Sequence, residues 1–248
     1  MEKYFLFFAL LLMVGLCHAQ EEDVVFVPDR PGYVWGAEVL AHHKISWENG
    51  IRLDQPFDDR ILAINSTIIR YGLFENVEVR VGTDFLTGEG YDFQGMGVSP
   101  LTIGTKIKCY EGEGLIPSVG ILAEFRSPHI GSPELRPSHI APLLYLLLEQ
   151  SIGEKLSLCY NAGLEFDGED AKPTKYLGVG VCYYFTDQLG GFVEFNSYFN
   201  RNNSQYLPEF GMTWMITNRL QLALSAGYTY GDLRYLDNIC LDLSWMIN

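Results

Sequence analysis

Leu220-Gln221-Leu222-Ala223-Leu224-Ser225-Ala226-Gly227-Tyr228-Thr229-Tyr230 is the stretch whose pattern decides the fold. Its even positions are Leu, Leu, Leu, Ala, Tyr and Tyr; its odd positions are Gln, Ala, Ser, Gly and Thr. Successive side chains of a strand point to opposite faces, so this segment reads as a strand with one oily and one polar face. Leu156–Asp167 repeats the pattern, setting Leu156, Leu158, Tyr160, Ala162, Leu164 and Phe166 against Ser157, Cys159, Asn161, Gly163, Glu165 and Asp167. Near the C-terminus Leu241, Leu243, Trp245 and Ile247 oppose Asp242 and Ser244. A β-sandwich or a barrel can each give such alternation. The faces separate them: the apolar one ends in aromatics, while the other holds small or ionisable residues.

Outward from these stretches, strands are expected near Val34–Trp47, Asp59–Tyr71, Phe74–Phe85, Leu101–Tyr110, Leu115–Arg126, Ser138–Gln150, Glu154–Asp167, Thr174–Thr186, Gln188–Asn200, Tyr206–Ile216, Arg219–Tyr230 and Leu236–Ile247. The joins alternate without exception. Gly72-Leu73, Glu111–Gly114, Ser151–Gly153, Asp187 and Thr217-Asn218 are tight. Glu48–Asp58, Leu86–Pro100, Ser127–Pro137, Gly168–Pro173, Arg201–Gln205 and Gly231–Tyr235 are longer and richer in Pro, Gly and charge. Sorting of loops by parity belongs to transmembrane barrels, with short periplasmic turns and longer extracellular loops. The expected fold is all-β: a closed antiparallel transmembrane barrel of about twelve strands. Trp35, Trp47, Tyr71, Phe74, Phe85, Tyr110, Phe125, Tyr176, Phe199, Tyr206, Tyr228, Tyr230 and Trp245 lie near the expected strand ends, where girdle aromatics sit. Ile61–Ile69 and Pro142–Leu148 are apolar on both faces and stay ambiguous.

Composition agrees. Hydrophobic residues make up 48%, aromatics 14%, and there are 25 glycines, yet mean hydropathy is close to neutral. A helical membrane protein is greasier, whereas strands that alternate lipid-facing and water-facing residues average out. The net charge of −14 disfavours nucleic acid, whose phosphates call for a basic face. The chain opens with Met1-Glu2-Lys3, a thirteen-residue apolar run at Tyr4–Leu16 and Cys17-His18-Ala19, followed by Gln20-Glu21-Glu22-Asp23. That is the pattern of a secretory signal peptide, cleaved after Ala19. Residues 20–33 then form a short periplasmic segment, too short for a globular plug, and 34–248 the barrel.

By parity the inward face carries Glu38, Lys44, Glu78, Arg80, Lys106, Lys108, Glu124, Arg126, Glu165, Glu194 and Asp242. At the lipid midplane each charge would cost roughly 2–4 kcal/mol, so these belong to the lumen. They either line a selective pore or binding site, or form a hydrogen-bonded plug. Twelve strands lie between filled eight-stranded barrels and open porins, which leaves both readings standing. The histidines after the signal, His42, His43, His129 and His139, make no nucleophile–base–orienter set by spacing, so no catalytic residue, and hence no enzyme, is expected. No His, Cys, Asp or Glu cluster has metal-ligand spacing, and no metal or cofactor is expected. Cys159 and Cys182 fall symmetrically about the Gly168–Pro173 loop, both inward, so they are expected to be directly opposed, with a disulfide or two small thiols as the alternatives.

Arg70-Tyr71-Gly72-Leu73-Phe74-Glu75-Asn76-Val77-Glu78-Val79-Arg80 resembles the "RYGL…VELR" hairpin of the transporter-like MetA-pathway phenol-degradation family. Asp29-Arg30-Pro31-Gly32, Thr102-Ile103-Gly104-Thr105-Lys106, Leu156–Gly163, Phe192-Val193-Glu194-Phe195 and Leu220–Gly227 resemble it further, in the family's order over nearly the whole processed chain. The resemblance implies a bacterial outer-membrane barrel that passes small solutes, aromatic ones among them, with membrane lipid and the barrel-assembly machinery as its other partners. The chain departs from the family at Ala223, where Asp is usual after "LQL", and at Asn248, where many such barrels end in an aromatic. A diffusion channel is therefore expected. The alternatives are a structural or surface-interaction barrel with a charge-plugged lumen, and a lipid-modifying outer-membrane enzyme.

Overall fold

The computed structural model of the chain describes residues 26–54, 60–89, 94–201, 203–231 and 235–247. The expected signal peptide lies outside them. Thirteen strands follow one another along the described chain: β1 (Ile45–Asp54), β2 (Arg60–Phe74), β3 (Val77–Glu89), β4 (Gly95–Val98), β5 (Thr102–Tyr110), β6 (Ser118–Arg126), β7 (Ala141–Ile152), β8 (Leu156–Glu165), β9 (Thr174–Tyr184), β10 (Leu189–Phe199), β11 (Ser204–Thr217), β12 (Leu220–Gly231) and β13 (Tyr235–Met246). Twelve close into one antiparallel ring, β1-β2-β3-β5 and onward in order to β13, which pairs back with β1. Closure removes the sheet edges that hydrocarbon cannot tolerate. β4 stands apart from the ring. It extends β3 beyond the wall as a small flap, Phe85 opposite Val98 through Gly88 opposite Gly95, inside what reads from sequence as the loop Leu86–Pro100.

Large apolar side chains sheathe the outer face: Val193, Phe210, Leu224, Leu177 and Leu144 are each at least half exposed. Tyr110, Phe74, Phe125, Tyr228 and Tyr230 stand exposed toward the strand ends, as girdle residues do. The short turns at 75–76, 153–155, 185–188 and 218–219 mark the periplasmic end.

The first expected strand is corrected. The wall begins at Ile45, not Val34, and residues 26–44 run inside the barrel instead. From the periplasmic end, where Phe26 packs with Leu40 and Met246, the segment rises to Trp35 and descends to Lys44. Trp35, expected in a girdle, meets Tyr145 at 4.9 Å between ring centroids. Tyr176 is likewise buried inward. The other expected strands form, with ends shifted by at most four residues.

The inner segment also explains the doubly apolar β7. Ala141, Leu143, Tyr145 and Leu147 point inward and are buried, packed with Leu122, Tyr176 and Ala37. On this side the barrel holds an apolar core, so its inward positions are apolar too. The segment's exit is fixed at Gly72, whose N–H donates to Lys44 O while His43 N–H donates to Gly72 O. A Cβ at residue 72 would lie 2.0 Å from the Ala41 carbonyl oxygen; only glycine admits that approach.

Candidate functional site

Residues 26–44 have no strand partner over most of their length, so their amides need acceptors. The wall supplies side chains. Glu48 accepts from Asp29 and Arg30 N–H, both at 3.0 Å. Glu194 accepts from Tyr33 and Val34 N–H at 2.8 and 3.1 Å. Asn161 accepts from Trp35 N–H at 2.7 Å and donates back to Trp35 O at 2.9 Å. Glu149 accepts from Ala37 N–H at 2.9 Å, and Glu78 from Leu40 N–H at 2.7 Å. The residues that hold the segment stand on β1, β3, β7, β8 and β10, so its path is set by the whole ring.

A buried ion-pair cluster locks the segment near Asp29. Arg70 is fully buried, forks onto Glu78 at 2.7 and 2.9 Å, reaches Glu48 at 2.7 Å and donates to Val27 O at 3.0 Å. Lys106 Nζ meets Asp29 at 2.6 Å and Glu38 O at 3.0 Å. Arg80 bonds Asp29 and pairs through Nε with Glu124 at 2.8 Å. Glu124 stands two strands away, across Gly104, where a Cβ would lie 2.4 Å from Glu124 Cγ; the missing side chain leaves the Glu124 side chain room to lie over Gly104. Burial alone would raise the pKa of Asp29, but Arg70, then Lys106 and Arg80, outweigh it and hold the carboxyl well below the usual carboxylate range.

The inner segment divides the lumen. Below it lies a cavity of about 900 Å³, walled by Phe192, Glu149, Glu194, Cys159, Cys182 and the turn at Thr186–Gln188. Above it, toward the long loops, lies a cup of about 390 Å³ that includes Arg52, Arg80, Arg126, Asp84, Glu124 and Tyr33. Asp29, Arg30 and Trp35 border both spaces.

Most residues expected to face inward do so. Glu78, Arg80, Lys106, Glu194 and Asp242 are buried in the lumen; Glu124 and Arg126 line the cup; Glu165 accepts the Tyr145 hydroxyl at 2.9 Å; Lys108 pairs with Glu38 at 3.1 Å. Two expectations are corrected. Glu38 and Lys44 belong to the inner segment and its exit, not to a wall strand. Cys159 and Cys182 both border the lower cavity, but they are diagonal neighbours and free: Cys159 lies opposite Gly180 and Cys182 opposite Ser157. The β8–β9 ladder ends at Glu165 opposite Thr174, so the loop starts at residue 166 and the register moves by two.

Sequence reasoning missed Asp29, Glu48, Arg70, Glu149 and Asn161. Arg70 and Glu48 sat in an ambiguous strand and in an expected loop. Asp29 lay before the expected barrel. Asn161 was visible as an inward polar residue, but nothing local reveals that its partner is a backbone 126 positions away.

Against proteins already known, a family model described as "Putative MetA-pathway of phenol degradation" matches residues 28–232. The crystal structure of the COG4313 outer membrane channel from Pseudomonas putida F1 superposes with a TM-score of 0.62 at 14% identity, covering 85% of this chain and 97% of that one. The KdgM porin in complex with disordered oligogalacturonate gives 0.58 at 10% identity, covering 82% of this chain and 98% of that one. Both likenesses concern the barrel fold. Among curated proteins, none matches the chain in sequence.

Proposed function

The chain belongs to the phenol-degradation family whose model spans residues 28–232, and from that premise we propose that it is an outer-membrane channel for small solutes. It is exported, processed after Ala19, inserted by the barrel-assembly machinery and seated with its apolar belt in lipid. Small solutes, aromatic ones among them, diffuse through the lumen in two stages, the upper cup and the lower cavity. The two similar solved structures are a channel and a porin, which supports this use of the barrel.

The observation that carries the reading is the partition. Asp29, Arg30 and Trp35 border both spaces, so the inner segment, not the wall, stands between them. A wall strand cannot shift without breaking two ladders. The segment is held mainly by side-chain acceptors and ion pairs, which can be exchanged one at a time for water or solute. No covalent chemistry is assigned. His139 Nδ1 meets the Gly168 carbonyl oxygen at 3.2 Å, and His42 stacks on His43 in the turn before β1, arrangements that supply no activated nucleophile.

Liposome swelling across sugars, amino acids and aromatic acids tests the channel, with Trp35→Ala beside the wild type. Trp35 packs edge-on against Tyr145 and tilted against Tyr176, so its truncation thins the partition and loosens the segment's tip. Swelling is expected for the smallest solutes with the wild type and several-fold faster with the variant. Persistent silence of both, in vesicles and in planar bilayers, would instead favour a structural barrel, which the capture of the segment's amides by Glu48, Glu194, Glu149 and Glu78 also suits.

A further inference from the structure

We propose that the upper cup is a binding site for a small aromatic carboxylate, and that Arg126 receives its anionic end. The proposal rests on the channel reading and names one solute class for it. The chain as a whole carries a net charge of −14, yet Arg30, Arg52, Arg80 and Arg126 all border this one cup of about 390 Å³.

The carboxylates that share the cup are already engaged. Asp29 is held by Lys106 and Arg80, Glu124 by Arg80 at 2.8 Å, and Asp84 by the Ser66 hydroxyl. Arg30 is matched by Asp242 at 3.1 Å. Arg126 differs. It stands half-buried at the extracellular end of β6, and among the described residues no hydrogen bond or ion pair holds its guanidinium. Glu165 lies within its electrostatic reach, but accepts the Tyr145 hydroxyl at 2.9 Å instead. A guanidinium partly withdrawn from water attracts an anion more strongly than an exposed one, and its planar fork matches the two oxygens of a carboxylate.

The remainder of the cup fits the remainder of such a molecule. Tyr33 and Trp35, from the tip of the inner segment, border the same space and offer aromatic surface to an apolar ring. About 390 Å³ is at the small end of ligand-sized cavities, suited to one ring with one acid group.

The full processed barrel, folded in detergent, is titrated calorimetrically with benzoate, benzyl alcohol and benzylamine. Benzoate is expected to bind about tenfold more tightly than its neutral counterpart, as a charge-assisted hydrogen bond implies, with benzylamine weakest. Arg126→Gln is expected to abolish that preference. Equal binding of all three probes by the wild type, or an intact preference in the variant, overturns the assignment. Should Arg126→Gln not fold, Arg126→Lys decides: it keeps the charge and loses the fork, so a severalfold drop in preference is expected, and no drop overturns the proposal. Binding without flux would keep the anion site and sink the channel reading; flux without preference would do the reverse.

Discussion

Replacing Asp29 with asparagine keeps the side chain's shape and removes its charge. In the wild type that carboxylate lies 2.6 Å from Lys106 Nζ, bonds Arg80, and stands 3.6 Å from Arg70; the three cationic side chains are 0–4% exposed. Without it, Arg70 keeps Glu48 and Glu78, and Arg80 keeps Glu124, but Lys106 is left facing the Glu38 carbonyl oxygen. Removing one member of a buried pair costs about 3–5 kcal/mol. Because Asp29 belongs to the inner segment, the cost falls on the docked state of that segment and spares the wall. At about 1.4 kcal/mol per decade, the docked-to-undocked ratio drops by roughly two to four orders of magnitude. Planar-bilayer recording at fixed voltage reads this as open fraction, and a rise of at least about a hundredfold is expected. Wild-type open fraction together with wild-type thermal stability would refute the reasoning. The pH dependence adds a check. The folded pKa of Asp29 is depressed, so its stabilisation is complete above the unfolded value of about 4 and is lost as pH falls through the lower folded value. The difference between wild type and variant is therefore expected to stay constant from pH 7 to about pH 4 and to shrink only below that. A difference already fading between pH 7 and pH 5 would contradict the cluster described here.

Two further expectations concern the wall. Val193 on β10 faces outward and is 61% exposed, so Val193→Arg puts a charge into hydrocarbon and is expected to lower folding stability in lipid by roughly 2–4 kcal/mol, measured by urea unfolding in vesicles; an unchanged midpoint would mean that this face does not meet lipid. The diagonal, free Cys159 and Cys182 are expected to appear as two unbridged thiols in non-reducing mass spectrometry of freshly folded protein, and a mass two hydrogens lower on the peptide pair would overturn that.

The family resemblance, the barrel and most of the inward charges are legible in the sequence, because each rests on short-range order. Alternation in Leu220–Tyr230 places Gln221, Ser225 and Thr229 inside from the period alone, and β12 buries them. Loop parity needs only the spacing of turn residues. The opposite case is Val34–Lys44. Its composition suits a strand, and nothing within it signals that it lacks a neighbour to pair with.

Whether that segment is wall or filling depends on residues far away in the chain. Glu194 and Asn161 must stand where the Tyr33, Val34 and Trp35 amides arrive, and the inward face of β7 must be apolar enough to receive Ala37 and Trp35. The choice between open pore and occupied lumen was made the same way. Twelve strands enclose a space that could stay wet, and only the convergence of acceptors from five strands on one stretch of backbone closes it. Periodicity along a chain reports which way a side chain points; what it meets there is settled by closure of the ring, which brings residues more than a hundred positions apart within hydrogen-bonding distance.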